Sequence, residues 1–213
     1  MQNGYRAVVI DSRGHCRSSR DEQPYSYALM ASDVIAVLDR LYLERSALIG
    51  WSDGACTALI LGREKRARVA GVFFFACNMD PSGTKEFAFQ PDSALGRCFA
   101  RHAKDYARLS GTPDQFEAFA EAVGLMQRAQ PNWSARELAE VDLPVAIVQG
   151  EHDEFIKREH AECLARNIPR AELTTLREVS HFAPLQRPQI FNAAILAFIR
   201  KIFPAPLSPD QPQ

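Results

Sequence analysis

A serine stands at the centre of a glycine-flanked segment, Gly50-Trp51-Ser52-Asp53-Gly54. The segment follows a short apolar run at residues 47–49 and precedes a helical pattern that starts at Ala55. In a tight turn between a strand and a helix, a serine hydroxyl is exposed as a nucleophile, and the first N–H groups of the helix can stabilise an oxyanion. The pattern alone arises by chance in about one chain of this length in fifteen, so its value depends on partner residues elsewhere.

Two residues further along the chain have the types and order that a serine nucleophile needs. The serine requires a base to accept its proton and an acid to orient that base. Asp153 follows an apolar run at 145–148, and His181 follows a shorter run at 171–175, so both lie where parallel strands end. The order serine, acid, histidine predicts a triad of Ser52, Asp153 and His181. The alternatives are a turn or capping role for Asp153 and a backbone-bonded loop residue for His181.

No other pattern indicates a metal or a cofactor. The chain contains no H-E-x-x-H, no G-x-G-x-x-G and no phosphate-binding G-x-x-x-x-G-K, so we predict no metal and no cofactor. The remaining histidines are interpreted as structural or surface residues: His15, His102, His152 and His160. Five cysteines without C-x-x-C spacing fit neither a disulfide framework nor a zinc site, and favour a reducing, cytoplasmic location.

The elements that must position these residues alternate between strand and helix. The predicted order is strand, helix, strand, helix, strand, at residues 7–10, 27–41, 47–49, 55–61 and 71–76. Ser26 is the expected N-cap of the first helix. The last of these strands has no polar alternation, as expected of a strand covered on both faces. This order predicts an α/β fold with a mostly parallel sheet flanked by helices.

A helical block interrupts the alternation. Strand signals are absent between residues 79 and 140, and capping boxes at Thr112/Gln115 and Ser134/Glu137 predict two helix starts. The alternation resumes afterwards with a strand, a helix, a strand and a final helix, at 145–148, 157–167, 171–175 and from Pro188. The predicted domains are an α/β core at 1–78 and 141–203, a helical cap insertion at 79–140 and a flexible tail at 204–213.

Charge and hydropathy exclude several partners. The 25 Lys and Arg residues nearly balance the 26 Asp and Glu residues, so no surface for nucleic acid is expected. The basic run at residues 63–68 is interpreted as a solvated helix end, where cations complement exposed carbonyls. The longest apolar run, at 69–77, is too short for a membrane span, and the first residues lack the pattern of a signal peptide. The expected partner is therefore a small-molecule substrate, with no membrane contact.

Four segments together resemble the α/β-hydrolase superfamily, especially its small capped members that cleave esters, lactones or carbon–carbon bonds. They lie at residues 9–18 (Val-Ile-Asp-Ser-Arg-Gly-His-Cys-Arg-Ser), 50–54, 150–153 and 180–182, within a likeness that runs from about Tyr5 to Phe203. The resemblance implies that Ser52, Asp153 and His181 form the triad and that the Asp53 backbone N–H is one oxyanion donor. A serine at the nucleophile position argues against the dehalogenase and epoxide hydrolase relatives, which use aspartate there.

The chain departs from the family pattern in two places. Cys16 stands where the family usually has a second glycine. Family members also carry three strands and a helix ahead of the segment that matches Tyr5, including a His-Gly loop with the second oxyanion donor. Without them, the predicted strand at 7–10 would either adjoin a gap or pair directly with residues 47–49. Either arrangement alters a sheet edge, which could support a homodimer.

The missing donor leaves a second hypothesis open. Loss of one oxyanion donor typically lowers turnover about 100-fold to 1000-fold. The alternative to an active serine hydrolase is therefore a catalytically weak or inactive truncated relative that binds a ligand or partner, or an incomplete gene product.

Aromatic residues of the insertion could form the roof of a largely apolar pocket over Ser52. Most are expected to pack against the core, because aromatic stripes usually serve burial. The candidates for substrate contact are Trp51, Phe99, Met126 and Trp133. We predict a small, partly hydrophobic ester, lactone or related acyl substrate, with carbon–carbon cleavage as the alternative reaction of the same residues.

Overall fold

The computed structural model describes residues 4–86, 90 and 92–204. Four strands form one fully parallel sheet in the order β1-β2-β3-β4, which confirms the predicted α/β class. They are β1 (Ser46–Trp51), β2 (Val69–Phe75), β3 (Val145–Gly150) and β4 (Ala171–Leu176). The predicted flexible tail, apart from Pro204, and the aromatic residues Phe87 and Phe89 lie outside the described residues.

Eight α-helices accompany the strands within the described part of the chain. They are α1 (Tyr27–Arg40), α2 (Asp53–Glu64), α3 (Ala94–Leu109), α4 (Phe116–Ala129), α5 (Ala135–Ala139), α6 (Arg158–Asn167), α7 (Ala183–Gln186) and α8 (Pro188–Ile202). Ser26 caps α1, since its hydroxyl accepts the Leu29 N–H at 3.1 Å, and Ser134 forms the predicted capping box with Glu137. Both caps satisfy N–H groups that a helix start otherwise leaves unpaired.

The other predicted capping box is wrong. The Thr112 hydroxyl lies 3.1 Å from the Tyr106 hydroxyl and makes no helix cap. A short 3-10 turn, Pro113–Gln115, follows it, and α4 begins only at Phe116. A local tertiary contact with the end of α3 therefore replaces the cap that the sequence predicted.

The sheet separates two hydrophobic layers. On one face, side chains of α1, α2 and α6 form a buried cluster with the sheet, in which Leu59 of α2 and Leu164 of α6 accompany Phe74 of β2. On the other face α8 places Phe191 and Phe198 against residues of β2 and β3. Strand β2 is buried along its whole length, as its unbroken apolar sequence predicts. Ile190 of α8 is 36% exposed.

The predicted strand at residues 7–10 is wrong. The segment forms no strand, and Val9 is 88% exposed. Among the described residues, β1 pairs only with β2 and is the edge of the sheet, so neither of the two expected arrangements with residues 47–49 occurs. A β-prone sequence becomes a strand only where another strand offers it hydrogen-bonding partners. The homodimer through this edge stays a prediction.

The predicted insertion contains α3, α4 and α5. Its start is held to the core by an isolated antiparallel bridge between Thr84 and Ile156. Next to this bridge, the buried His160 of α6 accepts the Met79 N–H through Nε2 at 3.0 Å. The insertion is thus attached where residues 79–85 meet the loop after β3 and the start of α6. Its division from the core as a separate domain stays a prediction.

Candidate active site

Ser52 occupies a sharp corner between β1 and α2. Its φ of 53° and ψ of −126° lie in a region that residues other than glycine rarely adopt. The Ser52 N–H donates to the Phe75 carbonyl at 2.9 Å, and its carbonyl accepts the Ala55 N–H at 2.7 Å. Backbone contacts to β2 and α2 therefore hold the strained conformation that a nucleophile turn requires.

The two glycines around this corner differ in their steric role. A Cβ atom on Gly50 would lie 2.4 Å from the Ala55 Cα, so strand and helix approach closely only because position 50 lacks a side chain. A Cβ atom on Gly54 would meet no atom within 4 Å. The close approach of strand and helix therefore depends on the glycine at position 50 and not on the glycine at position 54.

An acid and a base lie in contact beyond β3 and β4. The His181 Nδ1 is 3.3 Å from both Asp153 carboxylate oxygens, and the two residues are 7% and 2% exposed. The Asp153 Oδ1 also accepts the N–H groups of Phe155 and Ile156, each at 2.9 Å. These backbone donors fix the carboxylate, which in turn orients the imidazole with Nε2 facing away from the pair.

Ser52 lies at the same edge of the sheet as this pair. All three residues follow the carboxyl ends of parallel strands, and the ring of Trp51, which precedes the serine, lies 6.2 Å from the His181 ring. Among the described residues, the Ser52 hydroxyl makes no hydrogen bond, so the structure brings acid and base into contact but shows no bond from serine to base. Catalytic hydrogen bonds often tighten only when substrate is bound.

Two further residues hold the acid–base pair, and sequence reasoning missed both. The Lys85 ammonium donates to the Asp153 carbonyl at 2.6 Å, and the Glu154 carboxylate accepts the His181 N–H at 3.1 Å. Lys85 lies in the insertion, 68 positions before Asp153, so no local pattern could identify it. Glu154 adjoins the predicted acid and could have been considered on that ground alone.

The Asp53 side chain joins three helices beside the nucleophile. Its carboxylate accepts the Tyr27 hydroxyl of α1 at 2.7 Å and the Gln127 amide of α4 at 2.8 Å. Burial raises the pKa of the Tyr27 phenol far above its ordinary value, with Cys56 and Asp53 adding to the effect, so Tyr27 remains a proton donor. The residue that carries the predicted oxyanion N–H is thus held by the core and by the insertion.

Aromatic rings surround His181, and we call this group the aromatic cluster. Phe182 lies at its centre, with ring-centroid distances of 5.5 Å to His181, 6.0 Å to Trp51 and 5.9 Å to His102. The members are Trp51, Phe99, His102, Phe155, His181 and Phe182. Helix α3 of the insertion contributes Phe99 and His102, so the insertion reaches the rings around the base.

The candidate substrate residues lie in different surroundings. Trp51 and Phe99 belong to the aromatic cluster. Met126 is 3% exposed within the main hydrophobic core, and Trp133 packs on that core with the Arg63 guanidinium 5.0 Å from its ring. Contact of any of the four with substrate stays a prediction.

The described residues show no group of three His, Cys, Asp or Glu side chains that could hold a metal ion. In the same part of the chain, no helix is long and apolar enough to cross a bilayer. A groove between α8 and strands β3 and β4, lined by residues such as Phe73, Ala146 and Phe198, contains none of the three predicted triad residues.

Comparison with known proteins extends the similarity over most of the chain. The model of the alpha/beta hydrolase family matches residues 1–194. A 2-hydroxy-6-oxononadienedioate/2-hydroxy-6-oxononatrienedioate hydrolase of Pseudomonas putida is 24% identical over 92% of this chain and 78% of that protein. The 3-oxoadipate enol-lactonase 2 of Acinetobacter baylyi is 26% identical over 94% of this chain and 81% of that protein.

Solved structures show the same architecture. Est816, an N-acyl homoserine lactone degrading enzyme, superposes with a TM-score of 0.66 and 27% identity over 89% of this chain and 81% of that chain. A meta-cleavage product hydrolase from Pseudomonas fluorescens gives a TM-score of 0.68 at 14% identity, covering 85% of this chain and 74% of that chain. The second likeness concerns the fold alone. Together they confirm the predicted sheet and its flanking helices.

Proposed function

The chain belongs to the α/β hydrolase family and is a hydrolase, and we propose that it cleaves small, partly hydrophobic esters or lactones through Ser52, His181 and Asp153. The observation that supports this most directly is the buried Asp153–His181 pair at the sheet edge where the strained Ser52 corner lies. A strained serine and an oriented histidine at one edge are the parts that nucleophilic acyl transfer needs.

In the proposed reaction, the Ser52 hydroxyl attacks the substrate carbonyl while the His181 Nε2 accepts its proton. Asp153 stabilises the imidazolium through Nδ1. The carbonyl oxygen becomes an oxyanion that the Asp53 N–H, at the start of α2, stabilises. His181 then protonates the leaving group. Water next attacks the acyl group on Ser52, and His181 accepts the proton of the water and returns it to the Ser52 oxygen.

The substrate proposal rests on the surroundings of the base and on the relatives. Within the aromatic cluster, the exposed ring of Phe99 and the half-buried rings of Trp51 and Phe155 offer apolar surface to a small acyl group. Among the relatives, one is an enol-lactonase and another a hydrolase of oxononadienedioates. We therefore place ester and lactone cleavage first and carbon–carbon cleavage by the same residues second.

Two features of the site favour a second candidate function. The Nδ1–carboxylate separations of 3.3 Å are long for a charge-assisted hydrogen bond, and the Ser52 hydroxyl is unbonded among the described residues. A weak hydrolase whose main role is to bind a ligand or partner would show the same two features. The two candidates differ in whether Ser52 is activated.

Intact-mass analysis after reaction with a fluorophosphonate probe measures that activation. We expect one label per wild-type chain and none on Ser52→Ala or His181→Ala. His152→Ala is the matched control, because His152 is an exposed histidine next to Asp153, and it should label like wild type. Absence of labelling on folded wild-type protein, with the fold checked by circular dichroism, would contradict an activated serine and favour the binding candidate.

A further inference from the structure

His102 belongs to the aromatic cluster but comes from the insertion. Its ring lies 5.9 Å from Phe182 and 6.1 Å from Phe99, and Phe182 in turn contacts His181. The base and His102 are therefore separated by a single phenyl ring. Phe182 itself is buried, whereas Phe99 is 36% exposed and lies 6.3 Å from Phe155, whose ring is 4.8 Å from His181. A substrate whose reacting carbonyl lies at Ser52 and whose apolar part packs on Phe99 extends toward His102.

The imidazole of His102 is available to such a substrate. The residue is exposed, and neither ring nitrogen has a hydrogen-bond partner among residues 4–86, 90 and 92–204. By contrast, His160 and His181 use ring nitrogens for contacts within the protein. An imidazole with free donor and acceptor capacity next to a base is suited to recognise a polar group of a ligand.

The lowered pKa of His102 supports its role in binding a polar group of the substrate. Desolvation lowers the pKa of its imidazole; Asp105 opposes this effect, whereas Arg101, His15 and His181 add to it. At neutral pH the ring is uncharged, and it can donate from one nitrogen and accept at the other.

We propose that His102 is a specificity-determining residue of this site, and that its imidazole binds a hydroxyl or keto oxygen of the substrate beyond the apolar segment that packs on Phe99. This inference rests on the proposed function, since it takes Ser52 as the position of the reacting carbonyl. In this proposal, residues of the core carry out the hydrolysis, and His102 of α3 selects the polar substituent of the substrate.

The test compares two methyl esters that differ by one hydroxyl group, methyl hexanoate and methyl 6-hydroxyhexanoate. Their affinities are measured by ligand-observed NMR titration on Ser52→Ala protein, which holds the esters without turnover. Adding His102→Phe should weaken the hydroxy ester about three- to tenfold and leave the plain ester unchanged, because one hydrogen bond contributes about 0.5–1.5 kcal/mol.

Two more variants sharpen the result. Adding His102→Gln or His102→Asn should retain part of the affinity, since Gln approximates the reach of Nε2 and Asn that of Nδ1. Lys104→Ala, an exposed change on the same helix, is the control and should affect neither ester. An equal loss for both esters in His102→Phe, or no preference for the hydroxy ester before the substitution, would overturn the proposal. Because this readout needs no activated serine, its failure is distinct from a failure of fluorophosphonate labelling.

Discussion

Two regions meet around Ser52, and they are held in different ways. At the carboxyl edge of the sheet, main-chain hydrogen bonds and close packing fix each residue, as the contacts of Ser52 with Phe75 and Ala55 show. Apart from the main-chain contacts of residues 83–85 with residues 155–157, the insertion reaches this edge through single side chains, such as Gln127 on Asp53 and Lys85 on Asp153. The difference suggests that the chemistry depends on rigid main chain, whereas selectivity depends on contacts that can change one at a time.

The largest expected effect tests whether only residues at the carboxyl edge of the sheet take part in the chemical step. Asp153→Asn should lower kcat about 10⁴-fold, because an amide cannot stabilise the imidazolium and favours the wrong tautomer of His181. Asp80→Asn changes a carboxylate of the insertion that binds the Ser82 N–H, and should lower kcat less than about tenfold. Both are measured as hydrolysis of a short 4-nitrophenyl ester. Similar losses in the two variants would remove the distinction between the regions.

The next effect concerns the rigidity of the nucleophile corner. Gly50→Ala should lower the free energy of unfolding by about 3 kcal/mol or more, because its Cβ would meet the backbone of Ala55, which cannot move aside. Gly54→Ala is the matched control: it meets no atom within 4 Å and removes a poor helix former, so it should raise stability by up to about 1 kcal/mol. Urea unfolding measures both changes. Equal destabilisation would show that the corner is not sterically fixed.

A substitution of His160 tests how the insertion is attached to the core. His160→Leu removes the acceptor of the buried Met79 N–H and should cost about 1–3 kcal/mol of unfolding free energy at pH 7.5. His152→Leu, at an exposed position, should cost far less. Urea titrations of both variants measure the change, and a cost below that of the control would contradict the role of His160 as an attachment point.

The lowered pKa of His160 predicts that the free energy of unfolding depends on pH. Desolvation lowers the pKa of His160 in the folded chain; Asp80 opposes this effect and Lys157 adds to it. The unfolded chain therefore binds more protons, so the stability contribution is full above about pH 6.5 and is lost as the pH falls through the lowered folded pKa. Stability between pH 7.5 and 5.5 should decline less in His160→Leu than in wild type. An unchanged decline would show that other groups cause it.

The smallest effect concerns the link between the insertion and the oxyanion donor. Gln127→Leu removes one of the two side-chain donors to Asp53 and should lower kcat/KM about three- to tenfold, with kcat affected more than KM. Gln115→Leu, an exposed change at the start of α4, is the control. A loss confined to KM would show that Gln127 acts on substrate binding and not on the position of the Asp53 N–H.

Much of the fold and the site could be predicted where the signal was local. The strand–serine–helix corner at Ser52, the cap at Ser26 and the unbroken apolar strand β2 each follow from residues a few positions apart. The positions of Asp153 and His181 follow from strand ends and chain order, and the structure brings them into contact.

The sequence by itself determined which segments form most strands and helices and which side chains follow the strand ends, because these depend on propensity, periodicity and short motifs. Only the tertiary structure decided that residues 7–10 stay outside the sheet, that Gln127 holds Asp53 and that Lys85 holds Asp153. The last two pairs are 74 and 68 positions apart. Such contacts depend on how distant elements pack, and no local pattern in either partner specifies the other.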